Sequence, residues 1–280
     1  MRYVINSSDI NDTYSFFIPI IGLLWRERGY NPIILLVGDR GLWNSSKRNK
    51  CVLDFSEKIG LKVMFVKQIL NYKSSTIAQV SRLFACADPF FKSDDYILTS
   101  DADMLPLSRT WFDQYDVNKT FNFFGGNAYL GYIGEASPSK LPQKFPICYI
   151  GSNVINWRQV MNIKELNLQI SMEQLIKERE AAGCRDDWYY DELTFANKMF
   201  NSPLIAHSQF INRNWSGGRA SQRLDRDNWN FSSQKNLIDC HFLRPGCNHL
   251  KTLCQVLIPE VYCYPGHLNL INEYTWTFMK

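Results

Sequence analysis

Tyr96-Ile97-Leu98-Thr99-Ser100-Asp101-Ala102-Asp103 is a short apolar run that ends in two acids. Its first half reads as an apolar strand. Its second half delivers two carboxylates, one residue apart, to the place where that strand stops. Alternation along an extended chain predicts that Asp101 and Asp103 point to the same side. Two carboxylates held together repel unless a cation sits beside them, and hard oxygen ligands suit Mg²⁺ or Mn²⁺. The bare Asp-x-Asp pattern is weak, since roughly one is expected by chance at this Asp content. A second copy, Asp225-Arg226-Asp227, lies in a polar stretch and reads as a solvated charge cluster.

Working outward toward the N-terminus, strand and helix signals alternate. Tyr3–Ile5 reads as a strand, and Tyr14–Arg28 as a helix closed by Gly29 and Pro32. Ile33–Val37 reads as a strand stopped by Gly38-Asp39, Val52–Ile59 as a helix, and Lys62–Val66 as a strand. Ser75–Ala87 is a helix entered through Ser-Ser-Thr. Strand–helix–strand repeated in this way predicts an α/β fold with a mostly parallel sheet flanked by helices, whose ligands bind beyond the carboxyl ends of the strands. Beyond Asp103, Phe121–Phe124 and Ala128–Ile133 read as strands around Gly125-Gly126, and Ile163–Glu180 and Tyr189–Phe200 as helices. The polar stretch from Trp215 to Trp229 suits a mobile active-site loop and a plain surface loop equally. With no internal repeat and no linker, the expectation is one compact domain over residues 1–280, its halves 1–130 and 131–280 sharing one body.

Composition narrows the field. At 280 residues, 45% hydrophobic and 21% charged, the chain is neither disordered nor a coiled coil. A net charge of +4 without a basic run gives no reason to expect nucleic acid as a partner. No stretch reaches the roughly 18 apolar residues of a spanning helix. Phe16–Trp25 is interrupted by Pro19 and Gly22. The first residues run into a strand without a signal-peptide profile, so the expected location is cytoplasmic. The 8 cysteines include no C-x-x-C pair, which argues against structural zinc and for reduced thiols. Aromatic residues at 14% fit a large aromatic core first and a sugar or base platform second.

Placed in this frame, Asp101-Ala102-Asp103 after an apolar strand resembles the metal motif of GT-A-fold glycosyltransferases, enzymes with a Rossmann-like sheet that use nucleotide-sugar donors. Val80-Ser81-Arg82-Leu83-Phe84 through Tyr96-Ile97-Leu98 is similar to the glycogenin-like branch, and the resemblance gives Arg82 and Asp101 to the donor. It gives the uridine to Ser7, Ser8 and Tyr14, in the turn after the first strand and the helix behind it. Tyr149-Ile150-Gly151-Ser152-Asn153 resembles the sugar-contacting turn, which implicates Asn153. Trp188-Tyr189-Tyr190-Asp191-Glu192-Leu193 resembles the acidic helix start beside the reacting carbon, which makes Asp191 and Glu192 the catalytic candidates. Ile238-Asp239-Cys240-His241-Phe242 resembles the late strand whose His joins Asp101 and Asp103 on the metal. Two departures stand out. Arg244 occupies the region where the branch carries a diphosphate-binding Lys, and Glu192 stands where the branch has Gln.

The resemblance implies a Mn²⁺- or Mg²⁺-dependent hexosyl- or pentosyltransferase. It would carry sugar from a UDP-sugar (glucose, galactose or xylose class) to a glycan or glycoprotein hydroxyl. Without an anchor, it is similar to the soluble glycosyltransferases of bacteria or large DNA viruses. An acid at a helix start would serve inversion as a general base, while retention needs none. Simpler readings stand beside these: Arg82 in an ordinary ion pair, His241 in the core, and Asp191 and Glu192 as helix-capping acids. His207, His249 and His267 read as structural. Two other functions use the same motif. One is a Mg²⁺-dependent phosphohydrolase with Asp101 as nucleophile, although that class carries the motif on its first strand. The other is a nucleotide- or glycan-binding module without catalysis.

Overall fold

The computed structural model describes residues 1–125, 145–181, 189–213, 215–216, 219–220, 222–227, 229, 236–258 and 261–280. The expected strand at 128–133, together with Asp186, Asp187 and Trp188, lies outside the described residues. The fold is α/β. Seven strands, β1 (Arg2–Ser8), β2 (Asn31–Val37), β3 (Lys62–Val66), β4 (Tyr96–Thr99), β6 (Asn122–Phe124), β7 (Ile150–Asn153) and β8 (Gln209–Ile211), run in the order β3-β2-β1-β4-β7-β6-β8. This sheet is mixed: β1 and β4 are parallel, as are β6 and β8, while β7 runs antiparallel to both of its neighbours. A smaller sheet joins β5 (Met104–Pro106), β11 (Arg223–Asp225) and β12 (Asp239–His241) in the order β11-β12-β5, and β9 (Trp215–Ser216) pairs with β10 (Arg219–Ala220).

Local chemistry sets the helices. α1 (Asp12–Ser15) starts where the Asn11 side chain accepts from the Thr13 N–H at 3.0 Å. α2 (Ile18–Glu27) carries Pro19 in its first turn, where a missing N–H costs nothing. The predicted helix 14–28 is therefore two helices. α3 (Arg40–Trp43) and α4 (Lys47–Lys58) are capped by Asp39 and Ser46. α5 (Ser74–Phe84) tightens into a 3-10 turn at Ala85–Ala87. The predicted helix 163–180 starts later, as α7 (Leu168–Ala181), and is preceded by an unexpected helix, α6 (Val154–Met161), which ends on Asn162, whose φ of 56° suits an Asn cap. α8 (Tyr190–Phe200) matches its expectation, and α9 (Leu250–Val256) and α10 (Pro265–Met279) complete the chain.

The chain divides into two compact units, each drawing on several separate segments. The first holds residues 1–5, 66–100 and 115–213. Its core is aromatic: Phe121 meets Trp157 at 5.1 Å and Phe195 at 5.7 Å, and Phe145 lies 5.6 Å from Phe123. The second holds residues 6–65, 101–114 and 214–280. There Phe16 packs on Phe17, Tyr274 and Phe278, and Phe17 on Phe242. Trp25, Trp43 and Trp157 are fully buried, so much of the aromatic excess is core. Edge-to-face pairs of this kind contribute roughly 0.5–1.5 kcal/mol beyond area burial.

Candidate active site

β4 ends at Thr99, and Asp101–Asp103 belong to the turn that leads into β5. Both carboxylates thus stand beyond the strand whose alternation framed the expectation for their side chains. Asp103 is buried, at 4% exposure, and Asp101 is half-buried. β5 then pairs antiparallel with β12, with Met104 opposite His241, and the Phe242 N–H donates to the Asp103 carbonyl at 3.0 Å. β12 pairs on its other side with β11, in parallel register, with Asp225 opposite His241. A bidentate pair, Arg223 with Asp239 at 3.0 Å through both oxygens, secures that register.

This ladder sets the His241 imidazole between two acids. Nε2 lies 3.4 Å from Asp103 Oδ2, and Nδ1 lies 3.6 Å from Asp225 Oδ2. Two guanidiniums reach the same Asp103 oxygen: Arg226 Nη1 at 2.8 Å and Arg244 Nε at 3.4 Å. Arg244 also donates to the Tyr14 hydroxyl and stands 5.0 Å from the centre of the Tyr14 ring. Burial would raise the Asp103 pKa, but His241, Arg244 and Arg226 outweigh it and hold the carboxyl below its usual range. Burial pulls the His241 imidazolium down, and the carboxylates of Asp103 and Asp225 overcome this and raise it to about 9. His241 in turn holds Asp225 down to about 2, against partial burial. Burial raises Tyr14, and Arg244 offsets part of that.

Ser7 and Ser8 are buried at the end of β1, with Ser8 Oγ donating to the Asp9 carbonyl at 2.8 Å. The second unit therefore brings Asp103, His241, Arg244 and Tyr14 together as one cluster. In the first unit, Arg82 in the last turn of α5 donates to Asp191 Oδ2 at 2.8 Å, and both side chains are buried. Asp191 Oδ1 accepts from the Glu192 N–H at 2.9 Å. Asn153 stands opposite Tyr96, at the amino end of β4, whereas the Tyr149 N–H reaches Thr99 at its carboxyl end. Tyr149 holds that place with a φ of 65°, a strained conformation for a bulky side chain.

Two residues of the cluster went unrecognised in the sequence. Asp225-Arg226-Asp227 is not a solvated charge cluster as a whole: Asp227 is exposed, but Asp225 faces His241 and Arg226 binds Asp103. The signal was the alternation in Arg223-Leu224-Asp225, with Leu224 fully buried between two polar residues. Trp229, at the end of the polar stretch, meets Phe242 edge-on at 5.4 Å. His267 pairs with the buried Glu27 at 2.8 Å.

Among the described residues no group of three or more His, Cys, Asp or Glu is arranged to hold a metal ion. Asp103 and Asp225 lie on opposite nitrogens of one ring, and arginines take up the Asp103 oxygen. In kind, however, the donors fit a hard divalent cation. Asp101 and Asp103 supply oxygen, and a carboxylate behind His241 Nδ1 is the arrangement that turns Nε2 toward a metal. No helix among the described residues is long and apolar enough to cross a membrane.

No protein-family model matches the chain, and no curated protein matches it. Solved structures it is similar to include glycosyltransferases. The galactosyltransferase LgtC, in complex with donor and acceptor sugar analogs, is 14% identical, over 100% of this chain and 97% of that one, with a TM-score of 0.49. Apo GlyE of Streptococcus pneumoniae TIGR4 is 11% identical, over 98% and 62%, with a TM-score of 0.45. The catalytic domain of Drosophila beta1,4galactosyltransferase 7, complexed with xylobiose, is 11% identical, over 78% and 77%, with a TM-score of 0.31. At this divergence no residue's role passes from those proteins to this one.

Proposed function

We propose that the chain is a GT-A-type glycosyltransferase that moves a sugar from a UDP-sugar to a glycan or glycoprotein hydroxyl with a divalent ion. One observation carries this reading. A buried carboxylate in the turn after a sheet strand gathers Arg226, Arg244 and His241, and Arg244 in turn holds Tyr14. The barrier to glycosyl transfer lies in separating a diphosphate leaving group from the sugar, and fixed positive charge lowers it. A cluster of cations beside an aromatic hydroxyl suits a nucleoside diphosphate.

Asp101, Asp103 and His241 are the residues that would hold Mn²⁺ or Mg²⁺. When bound, such an ion supplies positive charge beside the departing diphosphate. The remaining work belongs to the chain. Arg244 offers a planar guanidinium to the phosphates. Tyr14, Ser7 and Ser8 take the uridine. Asp191 is engaged by Arg82, and it orients that guanidinium. Glu192, at the start of α8, is the proposed base for the acceptor hydroxyl.

Donor hydrolysis with UDP-glucose, UDP-galactose and UDP-xylose, with MnCl₂ and then with chelator, tests this reading. Turnover of one donor that vanishes with chelator is the expected result, and Asp103→Asn should lower it by about 100-fold or more. Turnover unchanged in that variant would remove Asp103 from the mechanism.

A further inference from the structure

Arg109 has an unpaired edge. Its guanidinium carbon stands 4.2 Å from the centre of the Tyr264 ring, and Nε and Nη2 are buried without an acceptor among the described residues. Those two nitrogens form the edge of a guanidinium that takes both oxygens of a carboxylate. The chain itself shows the match: Arg223 uses Nε and Nη2 to bind the two oxygens of Asp239, each at 3.0 Å. A buried N–H left unpaired costs the desolvation of that group, so such an edge is a place for a ligand oxygen.

The neighbourhood holds Arg109 in place and carries more positive than negative charge. Buried Arg28 donates to the carbonyls of Leu107 at 2.6 Å and Tyr262 at 2.7 Å, which stand two residues before Arg109 and Tyr264. The partner charge of Arg28 is Glu27, whose Oε2 accepts from Nη1 at 3.0 Å. Glu27 Oε1 is engaged too, with the Tyr264 N–H and His267 Nδ1 both 2.8 Å from it. Burial lowers the Arg28 pKa to about 10 against the pull of Glu27, and the charge of Arg109 acts in the same direction as burial. Two guanidiniums therefore share the surroundings of one carboxylate, and both oxygens of that carboxylate are taken. Tyr264 is 44% exposed, so the pair lies where a ligand can reach it.

We propose that Arg109 anchors a second ligand site, which binds the carboxylate of a small sugar acid on its Nε and Nη2 edge, with the sugar's C–H face against the exposed Tyr264 ring. A planar carboxylate fits the two parallel N–H groups, and the tyrosine offers an apolar body beside them. No hydrogen bond to a described residue holds that edge, so turning it toward a ligand breaks none. The site is separate from the Asp103 cluster. Asp103 precedes β5, whereas Arg109 follows its far end, where the Leu107 and Ser108 N–H groups both donate to the Ile238 carbonyl at 2.9 Å. The inference goes beyond the nucleotide-sugar reading and does not rest on it.

Titration of the ¹⁵N-labelled whole chain with glucuronate, followed by two-dimensional NMR, tests the site, with glucose and inorganic phosphate as comparison ligands. Glucuronate should shift the arginine Nε–H signal that disappears in Arg109→Ala, and should bind about tenfold more tightly than glucose or phosphate. Affinity read from the Tyr264 amide should fall about tenfold in Arg109→Ala. Arg109→Lys, which keeps the charge without the fork, should stay about fivefold weaker than the parent chain. Amide spectra that match the parent away from the site show that both variants fold. An Arg109 Nε–H signal that glucuronate leaves in place, or equal affinity in Arg109→Ala, would overturn the site. Phosphate or glucose binding as tightly as glucuronate would overturn the carboxylate assignment. Added UDP should leave the glucuronate titration unchanged, and displacement by UDP would put the carboxylate in the Asp103 cluster and overturn a second site.

Discussion

The imidazole of His241 ties protonation to stability. Its pKa of about 9 in the fold, against 6.5 as the ordinary value, means that the folded chain binds a proton the unfolded chain releases across that interval. Below pH 6.5 both states are protonated and the whole stabilisation is present. It declines as pH rises and is gone above about pH 9. Melting temperatures in metal-free buffer should therefore fall from pH 6.5 to 9 more steeply for the parent chain than for His241→Asn. Parallel slopes would show that the ion pairs with Asp103 and Asp225 add nothing. Alanine is a poor probe of Asp103 itself. It would leave three cationic groups around a buried vacancy at a cost of roughly 3–5 kcal/mol, which is why the asparagine variant is preferred. Asp101 and Asp103 were legible because an apolar run that breaks into acids is a local signal. Arg226 was not, because its place depends on the register of β11 against β12, a pairing between segments some distance apart along the chain.

Elements carry the next level of constraint. Arg82 on α5 and Asp191 on α8 form a buried pair joining segments 109 residues apart in sequence. Both had been singled out, but for separate roles, and nothing local foretold the contact. Arg82→Ala strands a buried carboxylate and should cost about 3–5 kcal/mol in chemical denaturation. A double variant, Arg82→Met with Asp191→Leu, should recover most of that loss. Failure to recover would mean that the pair does more than balance charge. Gly246 is a second such constraint: a Cβ there would lie 2.3 Å from Phe17 Cζ and 2.8 Å from Phe16 Cδ1. Both rings are fully buried, so Gly246→Ala should cost roughly 1–3 kcal/mol. Because Arg244 lies two residues earlier, UDP affinity should fall with it, and a variant of parental stability would contradict the packing argument. The helix read over 14–28 ran through the break before Pro19, and the short helix Val154–Met161, closed by Asn162, went unread.

At the scale of the molecule, the α/β class was readable because strand–helix alternation repeats through the first hundred residues. The division into units was not, since each unit assembles segments from far along the chain. The small sheet β11-β12-β5 shows why: β5 and β12 are more than a hundred residues apart, and their pairing brings His241 to Asp103. The central claim concerns what this gathering of charge binds. Calorimetric titration of the whole chain with UDP and GDP, first with Mn²⁺ and then with chelator, tests it most directly. UDP should bind with Mn²⁺, bind about tenfold more weakly in chelator, and be preferred to GDP in both. Absence of binding by either nucleotide in either condition would contradict the account.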